Sequence, residues 1–276
     1  MLRLLNGFGF LILLIVITQD YRIFAERTFQ IIGDRRTFIE APPEAAEDFF
    51  VTAADGERIS VRRWKATAPP STRLRVAVLH HGNQGTMDGY RTVPEWLAGL
   101  GIASYVYDYR GYGRSSGAPS ERGIYKDAEA VWAEAVRRDR VSPDQAMGFA
   151  HSLGGGPASY LAARHHFGAL LLTGAYTSIP EQAGAHPLFG WLSSFVRTEF
   201  PSRDYVSALG PTCLIVLHAG RDHSMPRWMA DQLIAAYRGR GGAFLAVDPE
   251  ATHEGIVGAT PRLAGPLLGK CPGLRN

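Results

Sequence analysis

Ser152 is the residue whose neighbours say most about chemistry. It stands in Gly148-Phe149-Ala150-His151-Ser152-Leu153-Gly154-Gly155-Gly156, after a short apolar stretch that suits a strand. Pro157-Ala158-Ser159-Tyr160-Leu161-Ala162-Ala163 follows and suits a helix. A serine pinched between small residues at a strand-to-helix turn is a nucleophile elbow. The tight turn lifts the hydroxyl above the sheet, and small neighbours let strand and helix pass closely. The usual spacing is Gly-x-Ser-x-Gly, and here Ala150 replaces the first glycine.

A serine hydroxyl attacks a carbonyl only when a base takes its proton, a carboxylate orients that base, and fixed donors receive the developing oxyanion. Asp222 follows the apolar run Cys213–Leu217, within His218-Ala219-Gly220-Arg221-Asp222-His223-Ser224-Met225-Pro226. His253 follows the run Ala243–Val247, within Asp248-Pro249-Glu250-Ala251-Thr252-His253-Glu254-Gly255. Serine, acid and histidine therefore come in that chain order, each just beyond a strand, which suits an acyl-transfer triad. Asp222 would hold the imidazole in one tautomer, and His253 would act first as base and then as acid. The backbone amide of Asn83, in Leu79-His80-His81-Gly82-Asn83-Gln84-Gly85, and that of Leu153 are the expected oxyanion donors. His81 reads as a brace for the turn rather than a base.

Other chemistries lack support in the pattern. His80-His81 and His165-His166 belong to no spaced ligand motif, so neither a metal nor another cofactor is expected. The glycines after Leu153 have no P-loop lysine and do not form Gly-x-Gly-x-x-Gly.

The elements that must position these groups alternate. Asp48–Thr52 and Ile59–Trp64 flank Ala54-Asp55-Gly56 as an opening hairpin. Strands are expected at 74–79, 102–107, before Ser152, and at 169–173, 213–217 and 243–247. Helical spacing covers 91–100, 121–138 (Ile124, Ala128, Val131, Trp132 and Ala135 on one face), the segment after Ser152, and 226–237. Such alternation implies an α/β fold: a mostly parallel sheet covered on both faces, with functional groups at the carboxyl ends of its strands. Residues 176–204 break the rhythm with Phe189, Trp191, Leu192, Phe195, Val196 and Phe200 among turn residues, and read as a small helical cap.

The 276 residues, 46% of them hydrophobic, suffice for one large core. A net charge of +3 without a basic block argues against nucleic acid as a partner. Residues 1–19 carry Arg3 and an almost wholly apolar run, Gly7 to Thr18, that is expected to be an uncleaved signal anchor; a cleaved signal peptide is the alternative. That anchor would place a linker at 20–45 and a catalytic domain at 46–276 on the extracytoplasmic side of the membrane. Cys213 reads as a buried thiol, although a bridge to Cys271 stays open.

Three more segments sharpen the picture: His81-Gly82-Asn83; Asp108-Tyr109-Arg110-Gly111-Tyr112-Gly113-Arg114-Ser115; and Pro119-Ser120-Glu121 with Tyr125 and Asp127. With them the chain resembles the α/β-hydrolase superfamily from residue 48 onward, and within it the membrane-associated serine hydrolases that include protein depalmitoylases. That resemblance implies an eight-stranded sheet, no metal or organic cofactor, the triad Ser152, Asp222 and His253, and an N-terminal membrane segment. Ala150 and Ala219 (for the glycine of a His-Gly pair) depart from the pattern, and neither removes a reacting group. Asp108–Ser115 reads as scaffold, with Tyr109 and Tyr112 packed beneath the site and Arg110 paired with a carboxylate. The expected activity is hydrolysis of carboxylic esters with hydrophobic, lipid-like acyl groups through an acyl-serine. Thioesters or aminoacyl amides would use the same machinery, and a non-catalytic binding module at a membrane is the reading from another class.

Overall fold

The computed structural model describes residues 42–185 and 190–275. The apolar segment at 1–19 and most of the linker lie outside the described residues, and none of the described helices is long and apolar enough to cross a membrane. One eight-stranded sheet organises the chain, in the order β1-β2-β4-β3-β5-β6-β7-β8. Its strands are β1 (Ala46–Thr52), β2 (Arg58–Trp64), β3 (Val76–His80), β4 (Ala103–Tyr107), β5 (Ala146–His151), β6 (Ala169–Thr173), β7 (Cys213–Arg221) and β8 (Ala243–Thr252). The opening hairpin makes β2 antiparallel to β1 and β4; every other pairing is parallel. The central strands β3, β4, β5 and β6 are buried at every position, as parallel strands covered on both faces must be.

Helices α1 (Thr92–Gly99) and α7 (Gly255–Leu268) cover one face, packing Val93, Leu97, Ile256, Ala264 and Leu268 against Leu79, Phe149, Leu171 and Ile215. On the other face lie α2 (Glu121–Asp139), α3 (Gly155–His165) and α6 (Arg227–Ala236). The buried side of α2 includes Ile124, Ala128, Val131, Trp132 and Ala135, the stripe its spacing predicts. Ser120 caps α2 by accepting a hydrogen bond from the Gly123 amide, and Arg140 ends it in a left-handed conformation.

Two differences from the sequence expectation have simple causes. The runs 213–217 and 243–247 are extended to Arg221 and Thr252 because β7 and β8 continue to pair past their apolar parts, through a register shift between Ala219 and Arg221. Polar residues on an edge pair break the hydrophobic pattern without breaking the ladder. Helix α7 has no counterpart in the expected elements, since Pro261 and Pro266 inside it and several glycines mask its period.

Between β6 and β7, helices α4 (Ile179–Gly184) and α5 (Ser202–Ser207) and a 3-10 turn at Gly190–Phe195 occupy the span expected to be a cap. Glu121, at the start of α2, anchors the end of this region: its carboxylate accepts the backbone N–H groups of Glu199 at 2.6 Å and Phe200 at 2.9 Å, and the Tyr125 hydroxyl at 2.9 Å. Phe200 is fully buried against this anchor, whereas Trp191 remains half exposed.

Cys213 and Cys271 form a disulfide across 58 residues with Cα atoms 5.8 Å apart. The expectation of a buried thiol at Cys213 is thereby corrected. The chain after α7 turns back onto the start of β7, a proximity no local pattern records.

Candidate active site

Ser152 occupies the junction of β5 and the 3-10 turn that opens α3, and its φ is +50°. A residue with a Cβ adopts this left-handed conformation only at a steric cost, so the surrounding chain holds the elbow in place. Two contacts do so. A Cβ on Gly154 would stand 2.3 Å from the His80 carbonyl oxygen, so only glycine lets α3 begin this close to β3. The Tyr176 hydroxyl accepts from the Gly156 amide at 3.1 Å and donates to the Leu153 carbonyl at 3.0 Å, which pins the first turn of the helix. Ala150 is fully buried in the core, and the elbow forms with its methyl group in place.

Asp222 and His253 meet directly. Each is the residue immediately after its strand, β7 or β8, and the pairing of these strands brings them together. The two oxygens of Asp222 divide the work. Oδ1 accepts the backbone N–H groups of Ser224 and Met225, both at 2.8 Å, which locks the carboxylate to its own loop. Oδ2 is left for the His253 Nδ1–H, at 2.7 Å. Burial pushes the Asp222 carboxyl up, but the His253 and backbone hydrogen bonds outweigh it and hold it below its ordinary value. Gly174, just past β6 at φ +54°, leaves room for the His253 ring: a Cβ there would approach His253 Cε1 to 2.8 Å.

His151, the residue before Ser152, lies beside this pair. The His151 ring lies 4.8 Å from that of His253, centroid to centroid, and the chain passes from His151 to Ser152. Gly82 closes the opposite side, where a Cβ would be 2.9 Å from the His151 ring and 3.6 Å from Ser152 Cβ. The Gly82 amide donates to the Tyr90 hydroxyl at 2.7 Å. Asn83, next along, has its side-chain oxygen held by the Tyr112 hydroxyl at 2.8 Å, which steadies the loop whose amide is the expected donor.

The segments read as scaffold take that part. His81 is fully buried, donates from Nδ1 to the Gly82 carbonyl at 2.7 Å, and lies against Tyr109 with ring centroids 4.1 Å apart. Burial pushes its imidazole down to about 4 and that of His80 to about 3. Tyr109 and Tyr112 are buried under the loop, and Arg110 bonds Asp127 and Asp55 through several N–H groups. Asp108 accepts the Met87 amide at 2.7 Å, and burial raises its carboxyl to about 7. His165 pairs with Glu129 at 2.8 Å, and His166 is the left-handed cap of α3.

Two residues of the neighbourhood have no precursor in the sequence reading. His151, fully buried, bonds Thr173 through Nδ1 at 3.1 Å, and its Nε2 stands 3.3 Å from the Glu254 carboxylate. That distance permits electrostatic attraction, but Nε2 makes no hydrogen bond. Burial pushes the His151 imidazole below its ordinary value, against the pull of Glu254. No spacing rule links these residues; they meet because the ends of β5 and β8 converge.

Comparison with known proteins accords with this architecture. The uncharacterized protein YfhR of Escherichia coli O157:H7 is 28% identical over 200 residues, which covers 69% of this chain and 68% of YfhR. The lysophosphatidylserine lipase ABHD12 of Danio rerio is 33% identical over 173 residues, 55% of this chain and 44% of the lipase. An esterase of Pyrococcus furiosus shares the fold with a TM-score of 0.66 at 16% identity, covering 87% of this chain and 98% of the esterase. Residues 71–215, more than half of the chain, match the sequence profile described as serine aminopeptidase, S33. The chain therefore belongs to the serine aminopeptidase S33 family and is an α/β hydrolase.

Proposed function

We propose that the protein hydrolyses carboxylic esters of hydrophobic acyl groups, with Ser152 as nucleophile, His253 as base and acid, and Asp222 orienting the imidazole. The observation that carries this reading is the divided Asp222 carboxylate, with one oxygen fixed by the loop and the other 2.7 Å from His253 Nδ1, the His253 ring lying 4.8 Å from that of His151, which precedes a serine held at φ +50°. His253 takes the Ser152 proton as the hydroxyl attacks the carbonyl, and the imidazolium is stabilised by Asp222. The amides of Asn83 and Leu153 receive the oxyanion. The imidazolium returns its proton to the leaving alcohol, and water, activated by the same base, releases the acid from the acyl-serine.

The apolar cap, with Trp191 half exposed, favours an acyl chain as the bound group, and the likeness to a lysophosphatidylserine lipase supports a lipid-like ester. An N-terminal anchor with the catalytic domain in an oxidising, extracytoplasmic compartment is part of the same proposal, and the Cys213–Cys271 bridge supports it.

Labelling with a fluorophosphonate probe tests the nucleophile. Wild type is expected to label and Ser152→Ala not to; equal labelling of folded Ser152→Ala would remove Ser152 from the role. A panel of p-nitrophenyl esters from short to long chain, with thioesters and aminoacyl anilides, tests the substrate class. Preference for long-chain esters is expected, whereas preference for acetate or for anilides would overturn the reading of the cap.

A further inference from the structure

The hydrogen bonds around His151 favour one tautomer. The Thr173 hydroxyl has one proton and donates it to the Ala150 carbonyl at 3.0 Å. With that proton so placed, the 3.1 Å contact is satisfied when His151 donates from Nδ1, the tautomer that leaves Nε2 as a lone pair. Nε2 is then a bare lone pair, fully buried, without a hydrogen-bond partner and facing a carboxylate 3.3 Å away. Two acceptors directed at each other leave a place for a cation between them. The third group is His253, whose Nδ1 proton is committed to Asp222, so that Nε2 is its available lone pair. One ligand atom from each of His151, His253 and Glu254 can be chosen such that all three lie within 4.8 Å of one another.

We propose that His151, His253 and Glu254 form a binding site for a divalent transition-metal cation of the zinc class, and that occupancy inhibits the enzyme. Two imidazoles and one carboxylate are a donor set zinc accepts, with a fourth position open to water. Ligands about 2.0–2.1 Å from a tetrahedral ion stand roughly 3.4 Å apart, close to the 3.3 Å between His151 Nε2 and Glu254 Oε2. Closing all three ligand atoms from within 4.8 Å of one another to that spacing needs shifts on the order of 1 Å, which the Glu254 side chain, 76% exposed, can share with the His253 ring. Both imidazoles are already oriented through their other nitrogen, His151 by Thr173 and His253 by Asp222, as metal-bound imidazoles are. The inhibition, which rests on His253 being the base, follows because a coordinated lone pair can no longer take the serine proton.

The test uses the purified full chain, stripped with a chelator and dialysed. Zn²⁺ is titrated by calorimetry, Co²⁺ is followed by its visible absorption, and ester hydrolysis is measured in parallel. One ion per chain is expected, with activity falling as the site fills and returning on chelation. Glu254→Gln and His151→Gln are each expected to weaken binding by about 10- to 100-fold. Glu254 is exposed, so its variant keeps the test readable should the buried His151 variant not fold. Absence of binding at millimolar metal, or wild-type affinity in Glu254→Gln, overturns the site. Failure of the metal-free protein to hydrolyse any ester overturns the catalytic reading instead, and the calorimetric and Co²⁺ titrations still report on the metal.

Discussion

The strain at Ser152 can be measured as stability withheld for the sake of position. A residue with a Cβ in the left-handed region costs roughly 1–2 kcal/mol relative to the right-handed one, and Ser152 sits there at φ +50°. Glycine at 152 would relieve that cost but make the unfolded chain freer, a loss of roughly 0.4–1 kcal/mol relative to alanine. The balance favours Ser152→Gly over Ser152→Ala by about 0.8 kcal/mol, the difference of the midpoints of those two ranges. Both variants lack the hydroxyl, so the comparison isolates the Cβ. In a domain of this size each kcal/mol moves the Tm by about 2–4 °C, so the glycine variant should melt roughly 1–4 °C above the alanine variant. Parallel urea denaturation, read by tryptophan fluorescence, gives the same difference as a shift in midpoint at constant slope. Both proteins should fail to label with fluorophosphonate. A glycine variant no more stable than the alanine variant would show that the elbow holds no steric cost, and that the small residues around it serve another purpose.

Other parts of the molecule give separate tests. Asp222→Asn leaves the loop bonds at Oδ1 available but denies His253 an anionic partner, so kcat should fall by about 1,000- to 10,000-fold with KM little changed; a loss below tenfold in steady-state kinetics would displace Asp222 from the triad. Asp108 has its folded pKa raised to about 7, so its contribution to stability is greatest below the ordinary carboxylate value and is lost as pH rises toward 7. Asp108→Asn should therefore gain on wild type as pH goes from 4 to 7 in matched denaturant titrations, and parallel curves would refute the raised pKa. His81, 3.9 Å from Asp108 and pushed down to about 4, changes stability in the opposite sense over that window, so only the difference between the two proteins is informative. Closing a loop between cysteines 58 residues apart contributes roughly 4 kcal/mol by chain entropy. The paired Cys213→Ala, Cys271→Ala protein should lose about 2–4 kcal/mol in denaturant unfolding, and unchanged stability would show that the reduced chain is already constrained there.

Legibility in the sequence varied with the range of the interaction. Ser152, Asp222 and His253 could be singled out as candidates because each follows a strand, and strand ends are local features. The stripe on α2 was readable for the same reason: Ile124 to Ala135 repeat within one helix. His151 and Glu254 carried no signal, because their encounter depends on strands separated by a hundred residues ending at the same height. The Cys213–Cys271 bridge depends likewise on how α7, itself hidden by two prolines, lies across the sheet. Where β7 and β8 end was misjudged because pairing continued through polar residues, which hydrophobicity alone does not register.

The Glu121 anchor bears on how such a protein can change over time. The carboxylate grips main-chain N–H groups at 199 and 200, which all residues but proline possess, and so at those bonds it is blind to side-chain identity. Residues ahead of that grip can be replaced, lengthened or shortened while the chain re-enters the scaffold at the same point before β7. Asp222 and His253, both downstream of that re-entry, keep their places. Variation in the region between β6 and β7 and the geometry of the Asp222–His253 pair are thereby uncoupled, and one glutamate at a helix start marks the boundary between them.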